Sequence, residues 1–326
     1  MRAAGGVQAR GVVNGLVPVA HLTSEVADAL DGADLIMLVV PSVAHAYYAK
    51  ALAPLLTPER PVFLNPGHTG GGLHFVRELR QAGYTKSVRT CETVTLTYVS
   101  RIEGPATVGI YSYTRQLGFA AFPGKHAEVL FGLIHPLYPE TALRTNVLET
   151  ALTNMNAVFH PPGMLMNAGW IESTHGDFLF YADGITEGVG RVVSAVDAER
   201  MAIARALDVP AITFMEAFYR AGLTTREAME SGSVAHACKV SAPNRTIRSP
   251  QSLDHRYVHE DVGYGLVPMA ALGRLAGVPT PTIDAQIHLL SEATGIDYAS
   301  VGLTLERLGL AGQSAAALKH FLLEGD

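Results

Sequence analysis

Three polar groups sit inside otherwise apolar stretches of this 326-residue chain. The first is Asn154, Asn156 and His160, in the run Asn154-Met155-Asn156-Ala157-Val158-Phe159-His160-Pro161-Pro162-Gly163. An imidazole has an unperturbed pKa near neutrality, which suits His160 to general acid–base chemistry. The tandem prolines are expected to interrupt a helix just after it, so that the ring projects into a cleft. The plainer reading is a hydrogen-bonded core histidine, and among 13 histidines a single one is not informative alone. The second group is Arg256, Glu260 and Asp261, ahead of an apolar run that reaches Pro268. Acidic residues there would favour a helix N-terminus, and Arg256 would pair with them on the surface. The third is a pair of turns, Pro41-Ser42-Val43-Ala44-His45 and Asn65-Pro66-Gly67-His68-Thr69-Gly70-Gly71, each closing an apolar strand. In open α/β sheets ligands lie beyond the carboxyl ends of the strands, so both turns should line one crevice. Alternatively, proline and glycine only punctuate the turns.

Alternating elements must position these groups. Ser24 is placed as the cap of a short helix bearing Val26, Ala29 and Leu30, with Gly32 at its end. A buried strand over 35–40 follows, then a helix carrying Tyr47, Tyr48, Ala51 and Leu52, and a second strand over 61–64. Leu73, Val76 and Leu79 mark the next helix, ended near Gly83. Continuous apolar strands separated by helices predict a parallel sheet covered on both faces. The strand-rich stretch 89–121 is expected to extend that sheet. Beyond about Asn146 the pattern turns helical, with Val189, Val192, Val193, Val196, Ile203 and Leu207 at helical spacing. Further helices are expected over 214–221, 225–230, 262–276, 282–293 and 315–323. The organisation read from this is an α/β domain over 1–145 and an all-helical domain over 146–326.

Bulk properties narrow the class. A net charge of −6 gives no electrostatic reason to bind nucleic acid or an anionic membrane. The best apolar run, Leu35 to Val40, is far shorter than the roughly 20 residues a membrane span needs. Cys91 and Cys238 form neither a metal-spaced set nor a disulfide framework, which points to a reducing cytoplasm and no metal site.

A doubly wound nucleotide domain opens with a strand, a glycine-rich turn and a helix. Gly5-Gly6 and the stretch from Gly11 to Gly15 do not fit Gly-x-Gly-x-x-Gly, and no buried strand is read before them. Either the fold is another one, or the chain begins partway into the domain.

Taken together and in order, the segments resemble the octopine/nopaline (opine) dehydrogenase family over essentially the whole chain. They are Gly32-Ala33-Asp34 with the following strand and Pro41–His45; Pro66–Gly71; Glu92-Thr93-Val94-Thr95-Leu96-Thr97-Tyr98 with Arg101; Asn146–Thr150; the His160 run; Asp197-Ala198-Glu199-Arg200; and Arg256–Pro268. Two departures are the missing N-terminal glycine turn and Thr97, where the family usually has proline. The resemblance implies an incomplete Rossmann-type doubly wound sheet, lacking its first strand, glycine turn and helix, followed by a helical domain like that of 6-phosphogluconate dehydrogenase. It implies NAD or NADP as cofactor and the joining of an amino acid's amine to a 2-oxo acid, with the imine reduced to a secondary amine. Carried over by motif, His160 corresponds to the catalytic histidine, Asp261 to its aspartate partner, and Arg256 to the arginine that holds a substrate carboxylate. Such a carboxylate would fix the imidazole's tautomer, and the planar arginine fork takes both carboxylate oxygens. Glu260 is the rival for the role of Asp261. Asn154, Asn156 and Thr95 are expected to line the substrate cleft, and Pro41, Ser42, His45 and Gly67 the cofactor crevice. The partners implied are small molecules, with a homodimer as the assembly considered. One rival reading is a 2-oxo/2-hydroxy acid dehydrogenase, which needs no amine. The other is an inactive metabolite-binding remnant, since a chain without the phosphate-binding turn is expected to hold NAD(P)H weakly.

Overall fold

The computed structural model describes residues 1–325. Nine strands occur among them: β1 (Gly6–Gly11), β2 (Gly15–Pro18), β3 (Ile36–Leu38), β4 (Val62–Leu64), β5 (Thr90–Thr93), β6 (Tyr98–Gly104), β7 (Thr107–Tyr113), β8 (Leu117–Phe122) and β9 (Thr141–Leu143). Between them lie α1 (Val26–Leu30), α2 (His45–Leu52), α3 (Gly71–Gln81) and α4 (Ala127–Ile134). The helices then run α5 (Val147–Ala151), α6 (Met155–Met166), α7 (Ala168–Thr174), α8 (Glu187–Ala206), α9 (Phe214–Arg220), α10 (Arg226–Glu230), α11 (Val234–Lys239) and α12 (Arg256–Asp261). A π-helical turn at Val262–Leu266 leads into α13 (Val267–Ala276), α14 (Pro281–Thr294), α15 (Tyr298–Val301) and α16 (Ala315–Glu324).

The main sheet has the order β3-β4-β5-β8-β9, with β3, β4 and β5 parallel. β8 runs antiparallel to β5, and β9 parallel to β8. Leu38 pairs with Leu64 and Leu64 with Glu92, so the three parallel strands end level with one another. The turns that follow them therefore open on one edge of the sheet. β4 is apolar throughout because it is covered on both faces. Val62 and Leu64 enter the core beneath α2 and α3 with Leu52, Leu73, Phe75 and Leu79, whereas Phe63 enters a second core with Phe119, Leu130 and Ile134. This is the period-two alternation of a strand buried twice over.

The stretch 89–121 extends this sheet only through β5 and β8. β6 and β7 leave it and join an N-terminal hairpin in a separate sheet of order β2-β1-β7-β6. Two strands therefore precede the first helix, where the sequence pattern gives no buried strand. Their signal is weak because the sheet is thinly covered: all of β2 is exposed, and Ile102 is 88% exposed. Ser24 does not cap α1; Glu25 holds the N-cap position, and the Ser24 hydroxyl faces the Glu25 carboxylate instead.

The helical half is organised on α8, whose N-terminus is capped by the Thr186 side chain accepting from the Val189 N–H. Val189, Val193, Val196 and Ile203 lie on its buried face. On the same helix Arg200, fully buried, binds Asp197 and donates to the carbonyl of Ile212 at 2.6 Å. Asp197 in turn accepts from the Phe214 N–H at 2.8 Å, so every charge in this pair is satisfied. The chain then returns to the first core: Leu303, Leu308, Leu310, Leu318 and Leu322 pack with the α2 and α3 residues, and Phe321 meets Phe122 with ring centroids 5.3 Å apart.

Candidate active site

Asn154 caps α6, its Oδ1 accepting from the Asn156 N–H at 3.2 Å. Its Nδ2 donates to Thr69 Oγ1 at 3.0 Å, which ties this helix to the turn after β4. The helix is not interrupted after His160: it continues through Pro161 and Pro162 to Met166. Each proline removes one i→i−4 bond, which makes a break the local expectation. Here the segment is almost wholly buried, and packing outweighs two backbone bonds. Gly163 fits closely, since a Cβ there would come within 2.7 Å of the Phe180 ring. His160 thus reaches the site from within a continuous helix.

α12 presents two stripes by its i,i+4 spacing. Tyr257 and Asp261 face His160, and Arg256 and Glu260 face the sheet. His160 Nδ1 lies 2.8 Å from Asp261 Oδ2, and its Nε2 lies 3.1 Å from the Tyr181 hydroxyl. The Tyr257 ring stacks flat on the imidazole at 3.7 Å and 11°. A carboxylate at Nδ1 requires that nitrogen to carry the hydrogen, which leaves Nε2 as the nitrogen that exchanges protons. Directly after Asp261 the chain widens into the π turn, a local device frequent at functional sites. Gly265 makes the close approach possible, because a Cβ there would stand 2.5 Å from that of Ala157 on α6.

The two neighbouring acids therefore do different work. Glu260 Oε2 accepts from Arg256 Nε at 3.0 Å and Nη2 at 2.6 Å. Its Oε1 accepts from the Ser42 N–H at 2.8 Å and faces His68 Nε2 at 3.5 Å. Burial pushes the Glu260 carboxyl up, but its polar neighbours outweigh that and hold it below the ordinary range. Burial lowers His68, against the pull of the Glu260 and Asp261 carboxylates, and Arg256 adds a permanent positive charge on Glu260. The Arg256 side chain is 52% exposed. Its Nε/Nη2 edge is spent on Glu260, and its Nη1 edge remains open for an anion.

Ser42 is buried, with its Oγ bonded to no protein group, while Pro41 and Val43 beside it are exposed. This orphaned hydroxyl stands at the carboxyl end of β3, beside the Glu260–Arg256 pair, on the sheet edge where open α/β folds bind ligands. No Gly-x-Gly-x-x-Gly occurs in the sequence. The glycine turn before α3 does not replace it, because a protein carboxylate already fills that helix N-terminus. Glu92 Oε2 accepts from the Gly72 N–H at 2.7 Å, and Oε1 accepts from the Thr150 hydroxyl. A Cβ on Gly67 would fall 2.3 Å from Glu92 Oε2. Gly67 is therefore needed for this internal contact, whatever else it meets. The strand ends thus offer a cofactor the Ser42 hydroxyl and carry no glycine turn of the pyrophosphate-binding pattern.

His45 is not brought to the crevice. It is fully buried, and a Cβ on Gly71 would lie 3.2 Å from its ring. Burial, reinforced by His74 and His68, lowers its pKa to about 3. Its place at the start of α2, just past the turn, points it under α3 instead. Thr95 and Asn156 are half-buried near the strand ends and the head of α6. Thr97 makes the bonds a proline could not: its N–H donates to Asn65 Oδ1 at 3.3 Å, and its hydroxyl accepts from Asn65 Nδ2 at 3.2 Å. Tyr181 and Tyr257 went unrecognised in the sequence. Tyr257 sits inside the Arg256–Pro268 segment and could have been singled out there, whereas Tyr181 lies in a loop with no motif to mark it.

With this geometry in place, comparison with known proteins is informative. A family profile described as NAD/NADP octopine/nopaline dehydrogenase, alpha-helical domain, matches residues 143–294. An opine dehydrogenase of Arthrobacter sp. (strain 1C) is 38% identical over 324 residues, covering 96% of this chain and 87% of its own length. A tauropine dehydrogenase of Arabella iricolor is 25% identical over 297 residues, covering 82% and 72% respectively. Among solved structures, octopine dehydrogenase with NADH and L-arginine superposes with a TM-score of 0.76 at 20% identity, over 98% of this chain and 86% of that one. NADP+-bound yersinopine dehydrogenase gives a TM-score of 0.73 at 13% identity, over 98% and 86%.

Proposed function

This chain belongs to the opine dehydrogenase family, and on that premise we propose that His160, Asp261 and Arg256 carry its reaction. It is an oxidoreductase that uses NAD(P)H to condense an amino acid's amine with a 2-oxo acid through an imine. The observation that carries the assignment of residues is the 2.8 Å contact between His160 Nδ1 and Asp261, on a helix that also bears the half-free Arg256. The family's structures include complexes of octopine dehydrogenase with NADH and L-arginine, with NADH and agmatine, and with NADH and pyruvate. These fit a site that takes an amine-bearing molecule and a small oxo acid.

The nicotinamide, when bound, supplies the hydride that converts the imine carbon to a CH–NH centre. The chain's own residues do the rest. The open Nη1 edge of Arg256 binds a substrate carboxylate. Glu260 holds the guanidinium in place and, through the Ser42 N–H, fixes it against the end of β3. Asp261 keeps the proton on Nδ1, so Nε2 accepts a proton from the substrate ammonium and frees the amine lone pair to attack the carbonyl. A second proton passes from that nitrogen to the alkoxide, giving the carbinolamine, and Nε2 returns the first proton to its hydroxyl, which leaves as water as the protonated imine forms. Asp261 stabilises the imidazolium that forms between these steps. Ser42, with Pro41 and Gly67, faces the cofactor crevice, and Asn156 and Thr95 face the substrate.

His160→Ala tests the assignment. Amine-dependent NAD(P)H oxidation is expected to fall by about 10²–10⁴-fold, the range for loss of a general acid–base group. Wild-type turnover in a folded His160→Ala protein would refute it. Both cysteines are free and buried, which supports a reducing compartment such as the cytoplasm. Among the described residues no helix is long and apolar enough to cross a membrane.

A further inference from the structure

His160 is 7% exposed and both its ring nitrogens are engaged. Nδ1 is committed to Asp261, so protons must enter and leave through Nε2. The group within hydrogen-bond distance of Nε2 is the Tyr181 hydroxyl, at 3.1 Å. Tyr181 is itself buried, and its hydroxyl oxygen stands 3.4 Å from that of Tyr257. Tyr257 is only half-buried, so the two hydroxyls lead from the buried imidazole nitrogen to a side chain with access to solvent. The line is held from several sides. Tyr257 stacks on His160, and Phe159 stacks on Tyr181 with centroids 5.2 Å apart. Phe180 meets the Tyr181 ring edge-on at 5.1 Å.

We propose that Tyr181 and Tyr257 form a hydroxyl relay that carries protons between His160 Nε2 and the substrate. The proposal rests on the reading of the reaction given above. In the dehydration step the imidazolium Nε2–H bond breaks and its proton passes to the Tyr181 oxygen. Tyr181 releases its own hydroxyl proton to the Tyr257 oxygen. Tyr257 releases its proton to the carbinolamine hydroxyl, which departs as water while the nitrogen lone pair forms the C=N bond. Each phenol breaks one O–H bond and makes one, so both finish neutral and no oxidant or reductant is consumed. Run backwards, the same line takes a proton from the substrate ammonium to the imidazole. A phenol suits every position because its hydroxyl both donates and accepts. Burial and the adjacent Tyr257 push the Tyr181 pKa well up, so it stays a hydroxyl throughout the working pH range. The 3.4 Å spacing of the two oxygens is at the long end for a hydrogen bond, as catalytic contacts often are before substrate closes the site.

The test is Tyr181→Phe, which keeps the ring and its packing but removes the link. The kcat for amine-dependent NAD(P)H oxidation is expected to fall by about 10²-fold, the lower range for acid–base groups, while KM for both substrates stays unchanged. Tyr257→Phe should lose a similar factor. The double variant should lose no more than either single one, because a line broken once is already broken. Added imidazole buffer should restore part of the lost kcat by delivering protons directly. Independently of turnover, the ¹⁵N resonance of His160 Nε2 should shift in Tyr181→Phe without any substrate present. An unchanged kcat, a multiplied loss in the double variant, or an unmoved Nε2 resonance would each overturn the relay. A wild type that reduces the 2-oxo acid equally well without an amine would overturn the functional reading instead, and the same variants would then test the relay in that reaction.

Discussion

Glu92→Gln should make the protein more stable at alkaline pH and leave it nearly unchanged at acid pH. Glu92 is completely buried at the end of β5, and burial raises its pKa from 4.5 to about 7 against the opposing bonds from Thr150 and the Gly72 N–H. A group held more basic in the folded state gives its full stabilising contribution below pH 4.5, and that contribution is lost as pH rises through about 7. At about 1.36 kcal/mol for each tenfold change in proton affinity, the loss is about 3 kcal/mol. Glutamine keeps the shape: its carbonyl still accepts from the Gly72 N–H, and its amide can donate to Thr150, whose hydroxyl also donates to the Val147 carbonyl at 2.9 Å. The wild-type profile alone would not isolate this effect, because buried histidines titrate in the opposite sense. Denaturant unfolding of both proteins at pH 5 and pH 8 does. The stability difference, variant minus wild type, should grow by about 2.5 kcal/mol between the two pH values, since an unfolded glutamate is already mostly ionised at pH 5. A difference that is the same at both would refute the reasoning.

Other expectations follow from the same geometry. Asp261→Asn should lower kcat by an amount comparable with the loss of His160, because an amide at Nδ1 no longer selects the tautomer; steady-state kinetics with unchanged KM would show it. Arg256→Lys keeps the charge but loses the fork, and should raise KM for the carboxylate-bearing substrate by about 10-fold, taking roughly 1.5 kcal/mol for a charge-assisted bond. Equal loss of cofactor affinity on titration would move Arg256 to the cofactor side. His45→Leu replaces a buried ring with no protein hydrogen bond by an apolar group. Folding holds the His45 pKa at about 3, so its contribution is present above pH 6.5 and lost as pH falls below that. The variant should therefore resist acid unfolding between pH 6 and 4 better than the wild type, with cofactor KM unchanged; equal acid sensitivity would contradict this.

The parts of the molecule that could be read from sequence are those whose signal is local and strong. β4 declares itself because Val62, Phe63 and Leu64 are all buried, and α8 because its valines repeat at helical spacing. The β1–β2 hairpin was missed for the converse reason: a sheet so thinly covered shows no alternation of apolar and polar residues. The tandem prolines misled because a local rule was overridden by burial on all sides of α6. The pairing of His160 with Asp261, 101 residues apart in the chain, has no local trace and entered only through resemblance to a family. Sequence left Glu260 and Asp261 as rivals. One helical step of about 100° separates them, turning Asp261 to the imidazole and Glu260 to Ser42 and Arg256. The return of residues 303–322 to the first core was hidden too, since an apolar helix face does not say which core it joins.

The central claim is that the chain builds a carbon–nitrogen bond and then reduces it. Mass spectrometry of the product tests it most directly, after incubation with NADH or NADPH, pyruvate and a panel of amino acids. The account calls for a secondary amine whose mass is that of amino acid plus oxo acid plus two hydrogens less one water, formed only when both substrates are present and lost in His160→Ala. A 2-hydroxy acid formed at the same rate with and without amino acid would contradict it.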